Sequence, residues 1–171
     1  DSTKYNKYNR NMKNYIVYTD GSDFKWTSRR LGIGGILVDP DEGGDYGKKI
    51  GEFSEELKRE DILRDYGTDQ CSNPFAEMVA TYRGLQRFST VFKPGDHIVF
   101  YADYEGTQKW LSGAWKAKLP YIIQIRDEIL DILRRSPWSV EFKWVKGHQP
   151  KSVMSPEAYW NGEVDKLAKG Q

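Results

Sequence analysis

The stretch His97-Ile98-Val99-Phe100-Tyr101-Ala102 constrains this chain more than any other. It is a nearly continuous apolar run, stopped on one side by Lys93-Pro94-Gly95-Asp96 and on the other by Asp103. A run this short and this apolar suits a central strand covered on both faces. Around it the chain alternates between strand-like and helix-like segments. Tyr15 to Thr19, Gly32 to Val38 and Lys49 to Phe53 read as a three-stranded meander, with Asp39-Pro40-Asp41-Glu42-Gly43-Gly44 as the turn between the last two. Residues 54–70 are charged and predict a short surface helix or insertion. Ser72-Asn73-Pro74 then announces a helix with a capping side chain and a first-turn proline, and Met78, Tyr82 and Leu85 keep helical spacing. Beyond the central run, helices are predicted near Glu105 to Leu111 and from Pro120, the second with Ile122, Ile125 and Ile129 on one stripe. A strand over Val140 to Val145 and a last helix carrying Trp160, Val164, Leu167 and Ala168 complete the order. This β-β-β-α-β-α-α-β-α sequence predicts an α/β fold: a mixed five-stranded sheet with helices on both faces.

At 171 residues the chain has the length of one domain. Residues 1–14, polar, basic and without periodicity, read as a flexible arm, and 15–171 as the folded domain. With 38% hydrophobic and 30% charged residues, the composition excludes disorder and collagen-like repeats. No apolar run approaches the ~20 residues that span a bilayer. The single Cys71 allows neither an internal disulfide nor a zinc cage, which points to a reducing, cytoplasmic setting. A monomer without membrane contact is expected. The net charge of +1 hides an asymmetry: residues 39–69 carry −6, whereas residues 109–151 carry +5. Such runs are usually solvated faces, but the basic half also fits a nucleic-acid footprint.

Four acids attract attention jointly rather than singly. Asp20 follows the first strand in Thr19-Asp20-Gly21-Ser22, and Asp-Gly alone would be an ordinary turn. Glu77 falls in what reads as the first turn of a helix, where the dipole favours an acid in any protein. Asp103 ends the central strand as a helix begins, so capping would account for it, and Asp165 would pass for a solvated acid. Yet strand ends and adjoining helix turns are where α/β folds assemble sites from distant residues. Four carboxylates in one cleft would repel one another unless divalent cations neutralised them. Oxygen-only ligands suit Mg²⁺ or Mn²⁺, and a pair of such ions is an apparatus for displacement at phosphorus.

Thr19-Asp20-Gly21-Ser22, Ala76-Glu77-Met78, Tyr101-Ala102-Asp103, Val145-Lys146-Gly147-His148 and the run from Asn161 to Ala168 resemble, in that order, the motifs of type 1 ribonuclease H. The resemblance covers about residues 15–169. The stretch from Asp103 to Lys118 is especially similar to bacterial members associated with viroplasmin-like domains. The resemblance implies a ribonuclease H-like fold and an endonuclease that cuts the RNA strand of RNA–DNA hybrids, leaving 5′-phosphate and 3′-hydroxyl ends. It implies Asp20, Glu77, Asp103 and Asp165 as ligands of two Mg²⁺ ions, with Mn²⁺ a possible substitute and Asp20 bridging both. It implies His148 as a mobile histidine assisting proton transfer or product departure. Gly21, Ser22, Ser72 and Asn73 match substrate-contacting positions, and Trp115 with Lys116 and Lys118 resembles a reduced basic protrusion. Burial is the ordinary expectation for Trp26, Trp110, Trp138, Trp144 and Trp160, and His97 reads as structural. The segment Asp23 to Arg30, Pro74 in place of a second Asn, and the 17-residue interval from His148 to Asp165 depart from the pattern. The competing readings are a hybrid-binding module that does not cut and a ribonuclease H domain of a reverse-transcriptase-type protein. A DEDD-type exonuclease would want Glu where Ser22 stands.

Overall fold

The computed structural model describes residues 12–23, 30–69, 72–147 and 154–171. Five strands, β1 (Asn14–Asp23), β2 (Leu31–Gly44), β3 (Gly47–Leu57), β4 (His97–Ala102) and β5 (Ser139–Trp144), form one sheet of order β3-β2-β1-β4-β5. β1 to β3 are antiparallel, whereas β1, β4 and β5 run parallel. The helices are α1 (Arg59–Tyr66), α2 (Asn73–Phe88), α3 (Glu105–Ser112), α4 (Pro120–Arg135) and α5 (Pro156–Ala168). The mixed sheet with helices on both faces is as expected, and the element order differs from β-β-β-α-β-α-α-β-α only in having α1 as a further helix between β3 and α2.

Strand alternation sorts the core into two layers. Tyr15 and Val17 of β1 join Leu31, Ile33, Leu37, Ile98 and Phe100 beneath α2 and α4. Ile16 and Tyr18 point the other way and pack with Ile36, Val38, Trp160 and Val164 of α5. Two glycines set the helix distances. At Gly84 a Cβ would press on Thr19 and Phe100, at 3.1 and 3.3 Å, so its absence lets α2 lie close on β1. At Gly34 a Cβ would stand 2.8 Å from the Leu167 Cβ, so α5 seats directly on β2. α5 is tied to β3 as well, through the Ser54 hydroxyl donating to the Leu167 carbonyl at 2.6 Å.

Several boundaries differ from expectation for reasons of long range. The segment Asp39 to Gly44 is strand rather than turn: β2 bulges there, Gly44 pairs with Gly47, and only Asp45 and Tyr46 form the tip. Asp39 is buried, its carboxylate held by Lys13 Nζ at 2.6 Å and by the Asp41 N–H at 3.0 Å. Lys13 also donates its backbone N–H to Asp96, and Asn14 opens β1. α1 is the helix expected within residues 54–70. It buries Ile62 and sets Tyr66 edge-on against Phe75 of α2. Among the tryptophans, Trp160 is buried, but Trp144 is 47% exposed, contrary to the expectation of burial. It is the last residue of β5, an edge strand of the sheet, and its indole N–H donates to the Asp103 carbonyl at 3.1 Å. His97 bridges to Ser139 and Glu141, a structural role at the strand start. Trp26 and Cys71 lie outside the described residues.

Candidate active site

β1 and β4 are neighbouring parallel strands, and their carboxyl ends deliver Asp20 and Asp103 to the same edge of the sheet. β1 runs on to Asp23, paired with β2, so Asp20-Gly21 is strand and not a turn. Asp103 does not cap α3 either: the cap position is Tyr104, and no side chain bonds the helix end. α2 begins at Asn73, so Glu77 lies in its second turn and the first turn holds no acid. The helix dipole therefore does not account for Glu77. What fixes it is Gly21, whose backbone N–H donates to Glu77 Oε1 at 2.5 Å and to Asp20 Oδ1 at 3.0 Å. Only glycine fits there, because a Cβ would fall 2.2 Å from the Ala76 carbonyl carbon.

Asp20 and Glu77 are buried, Asp103 is half-buried, and the three offer oxygens that all lie within 4.8 Å of one another. Asp165, on α5, lies outside this tightest group but lines the same cavity of about 310 Å³ with Ser22, Asn73, Tyr104 and Lys169. Its Oδ2 is paired with Lys169 Nζ at 3.0 Å. Burial pushes the Asp20 carboxyl up to about 8, and the charges of Asp103 and Asp165 add to it. Burial likewise holds Glu77 well above the usual carboxylate range, with Asp20 and Asp103 reinforcing the effect. Buried carboxylates this close resist being ionised together without a compensating cation. The donor set is oxygen alone, which fits a hard divalent ion and not zinc.

The remaining nominated residues fall into three groups. Asn73 Oδ1 accepts from the Asp23 N–H at 2.8 Å, and Ser22 stands beside it on the cavity wall. Ser72 caps α2, its hydroxyl accepting from the Phe75 N–H at 3.4 Å, and does not line the cavity. Trp115 is 42% exposed, set edge-on against Trp110, with Lys116 and Lys118 exposed beside it. His148 lies outside the described residues; Gly147 before it abuts Asp103, where a Cβ would come 3.2 Å from Asp103 Oδ2. Three wall or supporting residues were not nominated from sequence: Tyr104, Lys169 and Asn161. Lys169 and Asn161 each stand one helical turn from Asp165, a spacing that was available to find them. Tyr104 carried no such signal, since an aromatic after a strand reads as core. A larger cavity, about 470 Å³ between α1, α2 and α4, also has three acids on its wall, Asp61, Asp65 and Glu128, but among the described residues only Asp20, Glu77 and Asp103 bring their oxygens within reach of one ion.

A sheet whose adjacent parallel strands end in clustered carboxylates defines the class: an α/β protein with an oxygen-only candidate site for hard cations. The chain belongs to the RNase H family, whose sequence model matches residues 12–171. In fold it is similar to the N-terminal RNase H domain of Rv2228c from Mycobacterium tuberculosis, solved as a fusion with maltose-binding protein. That match has 16% identity, covers 92% of each chain and has a TM-score of 0.67. It is also similar to LC11-RNase H1 solved in complex with RNA/DNA hybrid, at 19% identity, covering 90% of this chain and 92% of that one, TM-score 0.64. A third likeness is to the protease-reverse transcriptase of prototype foamy virus, at 19% identity and TM-score 0.67, covering 91% of this chain and 20% of the viral one. No curated protein sequence matches the chain. Among the described residues, no helix is long and apolar enough to cross a membrane.

Proposed function

We propose that this RNase H domain is an endoribonuclease that hydrolyses the RNA strand of RNA–DNA hybrids, leaving 5′-phosphate and 3′-hydroxyl ends. The observation that carries the reading is the convergence of Asp20, Glu77 and Asp103 within 4.8 Å, with Asp165 on the same cavity wall. These four would hold two Mg²⁺ ions, which supply Lewis-acid stabilisation of the scissile phosphate and an ionisable water at neutral pH. Asp20, whose carboxyl feels the charges of both Asp103 and Asp165, would contribute to holding both ions. The chain's own groups set the geometry. The Gly21 N–H locks the Asp20–Glu77 pair, and Asn73 braces the end of β1 through the Asp23 N–H. Trp115, Lys116 and Lys118 would grip phosphates of the strand that is not cut. Recognition of 2′-hydroxyls in a shallow minor groove would select RNA. Gly147 against Asp103 supports His148 as the group that moves a proton or helps product leave.

The likeness of Asp103 to Lys118 to bacterial members associated with viroplasmin-like domains supports placing the chain in that style. The foamy-virus match supports the second reading, a domain of a reverse-transcriptase-type protein with the same chemistry. The test is a labelled hybrid, double-stranded RNA and double-stranded DNA of one sequence, each incubated with Mg²⁺ or with chelator. Cleavage confined to the RNA strand of the hybrid and dependent on Mg²⁺ is expected; similar rates on all three duplexes overturn the reading. His148→Ala should slow cleavage without abolishing it, measured as the single-turnover rate on bound hybrid.

A further inference from the structure

Asn161 belongs to the last of the sequence motifs, yet nothing in the catalytic scheme uses it. It lies on α5 one turn before Asp165, and at 5% exposure its amide has little access to water. A buried amide is costly unless its hydrogen-bonding groups find partners. The partner here is the site itself: Asn161 Nδ2 stands 3.4 Å from Asp103 Oδ2. The same oxygen has Gly147 on its other side, where any side chain would come within 3.2 Å. The Asp103 backbone carbonyl accepts the Trp144 indole N–H at 3.1 Å, so Asp103 is held from α5, from β5 and from the segment after β5. Of these three contacts, only the Asn161 amide offers a hydrogen-bond donor to the carboxylate.

We propose that Asn161 is a positioning residue for Asp103: its amide holds Oδ2 of Asp103 and turns the other oxygen toward Asp20 and Glu77. The inference rests on the reading of Asp103 as a cation ligand. It follows from how ligating carboxylates behave generally, since an oxygen fixed by an outer hydrogen bond leaves the remaining oxygen with one orientation to offer. It also gives α5 a second tie to the site. Asp165 supplies one carboxylate from this helix, and Asn161 orients another that belongs to β4.

The experiment pairs Asn161→Ala with Asn161→Leu, which share the loss of the donor and differ in the volume they leave. Mn²⁺ affinity is measured by calorimetry on the protein alone, alongside kcat, KM for a hybrid and the melting temperature. Both variants should bind Mn²⁺ about tenfold more weakly and lose about tenfold or more in kcat, with KM within about twofold of wild type. In the wild type, the Asn161 side-chain amide resonance should shift on adding Mg²⁺ and should lose protection from exchange in Asp103→Asn; this readout serves even if neither variant folds. Wild-type Mn²⁺ affinity in a folded Asn161→Leu protein, or an amide resonance indifferent to both Mg²⁺ and Asp103→Asn, overturns the proposal. A wild type that shows no Mg²⁺-dependent hybrid cleavage would instead indict the functional reading on which it rests.

Discussion

Asp20 carries a conflict that the fold imposes on it. It is 4% exposed, next to Glu77 and Asp103, and its carboxyl is pushed from the ordinary 3.8 up to about 8. Between those values the folded protein keeps a proton that the unfolded chain releases, so without cations this group makes stability fall as pH rises from about 4 to 8. Asp20→Asn removes the penalty. In chelator at pH 8 the variant should melt above wild type, by about 5 °C for a gain on the order of 2 kcal/mol, with a smaller gap at pH 5. Saturating Mg²⁺ should close the gap by stabilising only the wild type, and hybrid cleavage by the variant should be undetectable. Melting curves across pH, with and without Mg²⁺, check each of these. A gap that stays constant with pH would show that Asp20 does not carry the burden assigned to it.

Among the elements, α5 is the most exposed to a small change elsewhere. Gly34→Ala puts a methyl 2.8 Å from the Leu167 Cβ and 2.9 Å from the Ala168 nitrogen, so the helix must lift from β2. The expected cost is about 1–3 kcal/mol in denaturant unfolding. The accompanying loss of kcat should exceed that of an equally destabilising change far from α5, because Asp165 rides on the helix. The strands and helices were legible because each rests on local pattern: alternation in β1, the apolar run of β4, the Ser72 cap, the stripe on α4; the four acids were legible only as a set, through the order of the motifs that carry them. What escaped was set by contacts distant in sequence. Asp39 to Gly44 has the composition of a turn, yet it continues β2, with Asp39 buried beside Lys13 and Gly44 paired to Gly47 of β3. Glu77 looked like a residue placed by the helix dipole. Its actual anchor is the Gly21 N–H, 56 residues earlier. Trp144 read as core because its sequence gives no sign that β5 is the sheet's outer strand.

For the molecule as a whole, a net charge of +1 leaves no global attraction to nucleic acid, so binding must come from local clusters. Lys116 and Lys118 are exposed beside Trp115 on the segment after α3. Replacing both with alanine should weaken hybrid binding and reduce the slope of log affinity against log salt by about 1–2, with the cleavage rate of bound hybrid nearly unchanged. Affinity titrations at several salt concentrations, paired with single-turnover rates, separate the two effects; an unaltered slope would remove these lysines from the footprint. One further consequence comes from the way α5, among the described residues, is the helix that covers the face of the sheet opposite α2 and α4. Lys169 follows its last turn and lines the cavity with Asp165, so anything that lifts α5 would take both groups out of the site while the five strands still held. Loosened in this way, the protein would go silent well before it came apart, and any tether meant to immobilise a working molecule belongs away from that helix.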